Sequence, residues 1–166
     1  MRFALVIMFF TTLLQGALAY AALGGAPSDF GTGTTPVRQA RSLAAGAATG
    51  TGTGTDTATA TAAAVYTVTQ STLDSGTIVR EYSTAAGIVF AVGWTGPTLP
   101  DLRTLLGDKF AVMTASAGKR AKAGHSQLAV EQSDVVIVSN GHMRAFSGPA
   151  WLPSALPAGF DTSSIE

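Results

Sequence analysis

The chain has 166 residues, with ten Lys and Arg against ten Asp and Glu, two His and no Cys. A formal net charge of zero, with only 12% charged residues, excludes a partner such as nucleic acid that is gathered by a strong positive field. The lack of cysteine excludes disulfide staples and a lipid-anchored lipoprotein, so any folded part rests on its own core.

Arg2 precedes the apolar run Phe3 to Leu14, and small residues follow as far as Ala19-Tyr20-Ala21. A basic start, a short apolar stretch and an A-x-A pattern predict a signal peptide over residues 1–21, cut between Ala21 and Ala22. Ala17-x-Ala19 is the alternative cleavage pattern. The runner-up is an uncleaved inner-membrane anchor, but a span needs about 20 mostly apolar residues, and Gln15, Gly16 and the alanines dilute the second half. The expected address is the periplasm or the exterior, with no stable membrane insertion after cleavage.

Residues 22–64 read as a short mature N-terminus and a tether. From Ser28 to Ala64 nearly all large apolar residues disappear, culminating in Thr49-Gly50-Thr51-Gly52-Thr53-Gly54-Thr55 and a Thr-Ala alternation. Such a stretch cannot bury enough area to offset its ordering entropy, which predicts a flexible spacer with Val37 to Leu43 as a transient turn of helix. Its composition also suits an O-glycan acceptor. Gly50-x-Gly52-x-Gly54 is no phosphate loop, because it has neither a strand before it nor a helix after it.

The globular domain is expected over residues 65–160. Val65 to Leu73 and Thr77 to Ser83 flank Asp74-Ser75-Gly76, a hairpin loop with glycine where the backbone must turn left-handed. Pairing outward puts Val68 opposite Tyr82, Gln70 opposite Arg80 and Thr72 opposite Ile78 on a face read as inward. Thr69 opposite Glu81 and Thr67 opposite Ser83 fall on a face read as solvated. Ile88 to Trp94 is apolar at nearly every position and predicts a central strand covered on both faces. Gly96 to Asp101 then opens a helix, with Thr98 as N-cap and Pro100 and Asp101 in the first turn. Leu99, Leu102, Leu105, Leu106, Phe110 and Met113 form its apolar stripe.

Ala115 to His125, with Lys119, Arg120 and Lys122, reads as a solvated loop or a contact for anionic lipid. Gln127 to Gln132 is a strand, and Val135 to Ser139 and His142 to Phe146 flank Asn140-Gly141, a strong hairpin signal. That turn pairs Val138 with Met143 and Val136 with Ala145 on the core face. Ser139 with His142, Ile137 with Arg144 and Val135 with Phe146 then lie on the outer face. A repeated Gly-Pro and Leu-Pro pattern links Gly87 to Pro100 with Gly141 to Pro153. Trp151 and Phe160 are expected to anchor an extended cover, with 161–166 as a tail.

Little here carries chemistry. Ser116-Ala117-Gly118-Lys119 fits S-x-x-K, but Gly118 interrupts the turn and the companion S-D-N and K-T-G elements are missing. No G-x-S-x-G occurs, and His125 and His142 lack a metal-site spacing. Asp101 with Asp108, or Glu131 with Asp134, are commonplace surface carboxylates. No catalytic residue, metal or cofactor is assigned. The candidate ligand-binding residues are Arg80, Trp94, His142 and Arg144, which suit a small anionic ligand or another envelope protein.

Four blocks carry a resemblance: Ala22 to Ser28; Leu73 to Tyr82; Val89-Phe90-Ala91-Val92-x-Trp94-x-Gly96-Pro97-x-Leu99-Pro100-Asp101-Leu102; and Gly141 to Gly148. Together they resemble an exported bacterial family, DUF2844, a domain of unknown function. The resemblance implies an exported address and carries over no catalytic residue. Independently, Leu23-Gly24-Gly25 directly after the cleavage site is expected to dock on the domain edge or on a partner as an added strand.

The expected fold is α+β, a mostly antiparallel sheet in the order β-β-β-α-β-β-β with one amphipathic helix on a face. The expected function is a non-enzymatic binding or interaction module. A small periplasmic hydrolase with an unrecognised Ser/His/Asp set and a passive structural envelope protein are the alternatives.

Overall fold

The computed structural model describes residues 23–30, 34, 36–43, 65–119 and 127–166. The expected signal peptide and its cleavage bond, the Gly/Thr repeat and the Arg120 to His125 part of the expected loop lie outside the described residues, and the Ala115 to Lys119 part of that loop is helical instead. Among the described residues, no helix is long and apolar enough to cross a membrane.

The fold is α+β, built on a seven-stranded antiparallel sheet. Strands β1 (Val37–Ser42), β2 (Val65–Thr72), β3 (Ile78–Thr84) and β4 (Val89–Gly96) are followed by helices α1 (Leu102–Leu106) and α2 (Lys109–Lys119). Strands β5 (Gln127–Glu131), β6 (Val136–His142) and β7 (Ala145–Trp151) complete the sheet. The spatial order is β1-β2-β3-β4-β7-β6-β5, which puts the apolar β4 at the centre.

The β2–β3 hairpin forms in the expected register, with Val68 opposite Tyr82, Gln70 opposite Arg80 and Thr69 opposite Glu81. Gly76 takes a φ of 81° and donates to Leu73 O at 2.8 Å, closing the loop. The expected solvated face of this hairpin is instead closed: Thr69, Ser71, Glu81 and Ser83 are all buried. Residues 23–30, read as the short mature N-terminus and the first residues of the tether, lie against this face. Leu23 N–H donates to Leu105 O at 3.0 Å, and Gly24 and Gly25 exchange two 2.8 Å hydrogen bonds with Val89. Leu23-Gly24-Gly25 therefore docks on its own domain, but as a turn held by Leu105 and by Val89 of the central strand and not as the expected added strand at an edge, and we refer to Leu23–Phe30 as the clip.

Val37–Ser42 is an edge strand, not a turn of helix. It pairs residue by residue with β2, from Val37 opposite Gln70 to Ser42 opposite Val65. All six residues are exposed, so no amphipathic period marks them in the sequence. The paired edge of β2 supplies the hydrogen bonds that a short isolated helix would have to form alone.

Strand β4 distributes its apolar run between two cores through a bulge. Tyr82 faces Ala91 while Ser83 faces Val89, so Phe90 is the extra residue. Val89, Val92 and Trp94 join Leu23, Leu102, Leu105, Leu106, Ile137 and Ala150 on the helix face. Phe90 and Ala91 join Tyr66, Val68, Tyr82 and Ile165 on the opposite face. There the cover is the segment Leu152–Glu166, the strap, whose Leu156 and Phe160 pack beside Trp151.

Two local expectations are corrected. The expected single helix is two, broken at Gly107 with a φ of 52°, and its N-cap is Asp101, which accepts from Arg103 N at 3.0 Å and Thr104 N at 3.4 Å. Thr98 instead turns back to the residue just before β3, where its hydroxyl lies 2.9 Å from that of Thr77. The β6–β7 turn is Met143-Arg144, not Asn140-Gly141, with His142 opposite Ala145 and Ile137 opposite Ala150. The two faces are accordingly reversed, since Val135 and Ile137 are the buried residues and Met143 is 88% exposed. The reason is electrostatic: the expected register would set Arg144 opposite buried Ile137, whereas this one sets Ala150 there and leaves Arg144 and the His142 imidazole at an exposed tip. The cost is a left-handed backbone at Arg144, with a φ of 67°.

Candidate functional site

The alternation of β3 sends Arg80 and Tyr82 to the strap face and Glu81 to the clip face. On the strap face, side by side across the sheet, Gln70 and Arg80 form a polar row beyond the aromatic core. Arg80 Nε donates to Gln70 Oε1 at 3.1 Å, fixing the guanidinium plane. Its Nη1 donates to the main-chain oxygen of Glu166 at 3.3 Å and lies 3.8 Å from that residue's carboxylate.

These residues wall a groove of about 350 Å³ that runs from β1 to the end of the strap, with Gln39 and Arg41 on one bank and Ser164 and Glu166 on the other. Tyr82 forms part of its lining. Burial pushes the Tyr82 phenol up, so at neutral pH it keeps its proton and donates to Ser164 O at 3.2 Å. A second cavity of about 390 Å³ adjoins, sharing Arg80 and Glu166 and adding Trp94, Thr95, Ser147 and Pro149.

Arg80 and Trp94, two of the four expected ligand-binding residues, thus line one cavity. Trp94 is only 1% exposed, however, and belongs to the helix-side core, with its indole packed where a Cβ on Gly148 would collide with it. Its Nε1 has no hydrogen-bond partner. His142 and Arg144 stand exposed at the β6–β7 turn and line neither cavity containing Arg80. Arg41, Gln39 and Glu166 were not legible as site residues, because their segments carry no apolar period and reach the groove only through pairing and strap docking.

On the other face, Glu81 is 1% exposed and receives the Ser28 N–H on both carboxylate oxygens, at 2.9 and 3.0 Å. Burial raises its pKa, opposed by the Ser28 hydroxyl, the Ser28 N–H and the Arg38 charge. The Ser28 hydroxyl itself is buried and makes no hydrogen bond among the described residues. This carboxylate is a structural latch for the clip.

One member of each acidic pair, Asp101 and Asp134, is held in a structural interaction. A hydrogen bond from the Thr104 hydroxyl chiefly lowers the Asp101 pKa, and one from Lys109 Nζ at 2.7 Å lowers that of Asp134. Among the described residues, no group of three or more His, Asp and Glu could hold a metal ion.

The DUF2844 family, described as a protein of unknown function, matches residues 19–165, nearly the whole chain. The chain belongs to the DUF2844 family. No curated protein and no solved structure matches it. The DUF2844 match takes in the clip, β1 and nearly all of the strap along with the central strands. The segments that close the two sheet faces therefore lie within the family's extent.

Proposed function

We propose that this DUF2844 protein is an exported, non-catalytic binding module that holds a small anionic ligand in the groove over β1–β3. Arg80 carries the reading. Its side chain is partly buried, held by Gln70, and, among the described residues, paired with one carboxylate that is 78% exposed, so an anion entering the groove meets an oriented guanidinium. Arg41 adds a second positive charge on the same wall, and the groove's volume suits a small ligand. Export rests on the basic start, apolar run and A-x-A pattern of residues 1–21.

Two measurements test this. The intact mass of the protein recovered from its native envelope fraction should equal residues 22–166, plus any glycan; retention of residues 1–21 would overturn cleavage. Amide chemical shifts of the mature chain should move at Gln39, Gln70, Arg80 and Tyr82 on titration with citrate, trigalacturonate or phosphate, and Arg80→Gln should remove the response. Shifts scattered over the surface, or none with any of the three, would overturn the binding reading.

A further inference from the structure

Strand β4 is interrupted by a single glycine among its buried residues, Gly93. A Cβ at that position would lie 2.2 Å from the main-chain oxygen of Glu166 and 2.7 Å from its carbonyl carbon. Glycine therefore clears the space in which the Ile165–Glu166 backbone crosses the sheet. The crossing is tied down twice. Ile165 is buried in the aromatic core, and the Tyr82 hydroxyl donates to Ser164 O while accepting from Glu166 N–H at 3.4 Å. The side chain of Glu166 is left exposed, reaching Arg80 over a 3.8 Å gap too long for a hydrogen bond.

A fixed backbone thus presents a loosely held carboxylate where the groove and the adjoining cavity meet, since Arg80 and Glu166 line both. We infer that the ligand presents a carboxylate to Arg80 and takes the place now occupied by the Glu166 side chain, which acts as an internal stand-in. This rests on the binding reading above and names the class of ligand. Nε of Arg80 is committed to Gln70 and one Nη1 N–H to the Glu166 main-chain oxygen, so the incoming carboxylate meets the N–H groups that remain on Nη1 and Nη2. Displacement is easy, because an exposed ion pair at this distance is weak and screened by salt.

The test titrates the mature chain, residues 22–166, with trigalacturonate, a triglutamate peptide and inorganic phosphate, comparing wild type, Glu166→Gln and Arg80→Gln by calorimetry and amide shifts. Glu166→Gln should tighten the carboxylate probes by about two- to five-fold, the range an exposed pair allows, and Arg80→Gln should abolish their binding. Whichever carboxylate probe binds tighter assigns the source as saccharide or peptide. Arg80-dependent binding that Glu166→Gln leaves unchanged or weakens would overturn the stand-in role while sparing the binding reading. Phosphate binding tighter than either carboxylate would overturn the ligand class. No binding in any variant would overturn both.

Discussion

The clip and the strap close the two faces of one sheet by opposite means. The clip is held largely by main chain: Leu23, Gly24 and Gly25 make three backbone hydrogen bonds, and Ser28 a fourth contact through the Glu81 carboxylate, with buried Leu23 and partly buried Phe30 packed against the core. The strap is held by side chains. Phe160 stands edge-on to Tyr66, Tyr82 and Phe90, with centroids 5.3, 5.8 and 5.0 Å apart, and Ile165 fills the remaining gap. A closure made of backbone needs small residues that permit close approach, and its sequence looks like linker. A closure made of aromatic packing announces itself.

The connections differ as well. The strap follows β7 directly. The clip and β1 are joined to β2 by a long stretch, although Ser42 lies opposite Val65 and a turn of a few residues would close that hairpin. The 43–64 stretch is Gly, Thr and Ala almost throughout. Ordering the clip therefore relies on its own contacts rather than on a short connection.

The largest effect expected is at the anchors. Leu23→Ala should cost about 2–5 kcal/mol in chemical denaturation, by the general cost of emptying a buried leucine site, and Phe160→Ala about 2–3 kcal/mol, since that ring is only partly buried. Hydrogen exchange decides whether the closures are independent: Leu23→Ala should expose the amides of Gly24 and Val89, and Phe160→Ala those of Ser164 to Glu166. Loss of both sets in either variant would show one cooperative unit.

Next in size is Gly93→Ala, expected to cost about 1–3 kcal/mol by forcing a side chain into filled space. It should release Ile165 and Glu166 while leaving Gly24 and Val89 protected. Retained protection of Glu166 would remove the strap from its place over β4.

Glu81→Gln tests the latch through pH. Because burial raises the Glu81 pKa above its unfolded value, this group's stabilisation is full below the ordinary glutamate range and is lost as pH rises through the folded pKa. The melting temperature of Glu81→Gln should therefore gain on wild type from acid toward neutral pH. Asp101, Asp134 and Asp161, whose pKa values are lowered, oppose this in both proteins and cancel in the difference. A difference independent of pH would mean that the carboxylate is not desolvated. The smallest effect concerns the connection: halving the 44–64 stretch should change stability by only about 0.6 kcal/mol, the logarithmic cost of loop closure.

Local signals read well in the sequence. The Asp74-Ser75-Gly76 turn, the register of β2 on β3 and the central place of β4 followed from glycine chemistry and the density of apolar residues. The candidate site was legible only in part. Arg80 stood out as a cation among inward residues, but its neighbours Arg41 and Glu166 come from segments that reach it across the sheet.

The misreadings share one cause. Asn140-Gly141 is a better turn than Met143-Arg144 in isolation, and Thr69, Glu81 and Ser83 look solvated by alternation alone. What overruled them was the rest of the molecule, which buried Ile137 against the helices and laid the clip over Glu81. The Asp74-Ser75-Gly76 loop, the pairing of β2 with β3 and the apolar stripe of the helices depend on residues near in sequence, so the sequence by itself determined them. Which face is inside, where β1 pairs and what stands beside Arg80 depend on burial and main-chain hydrogen bonds between distant segments, and only the tertiary structure decided those.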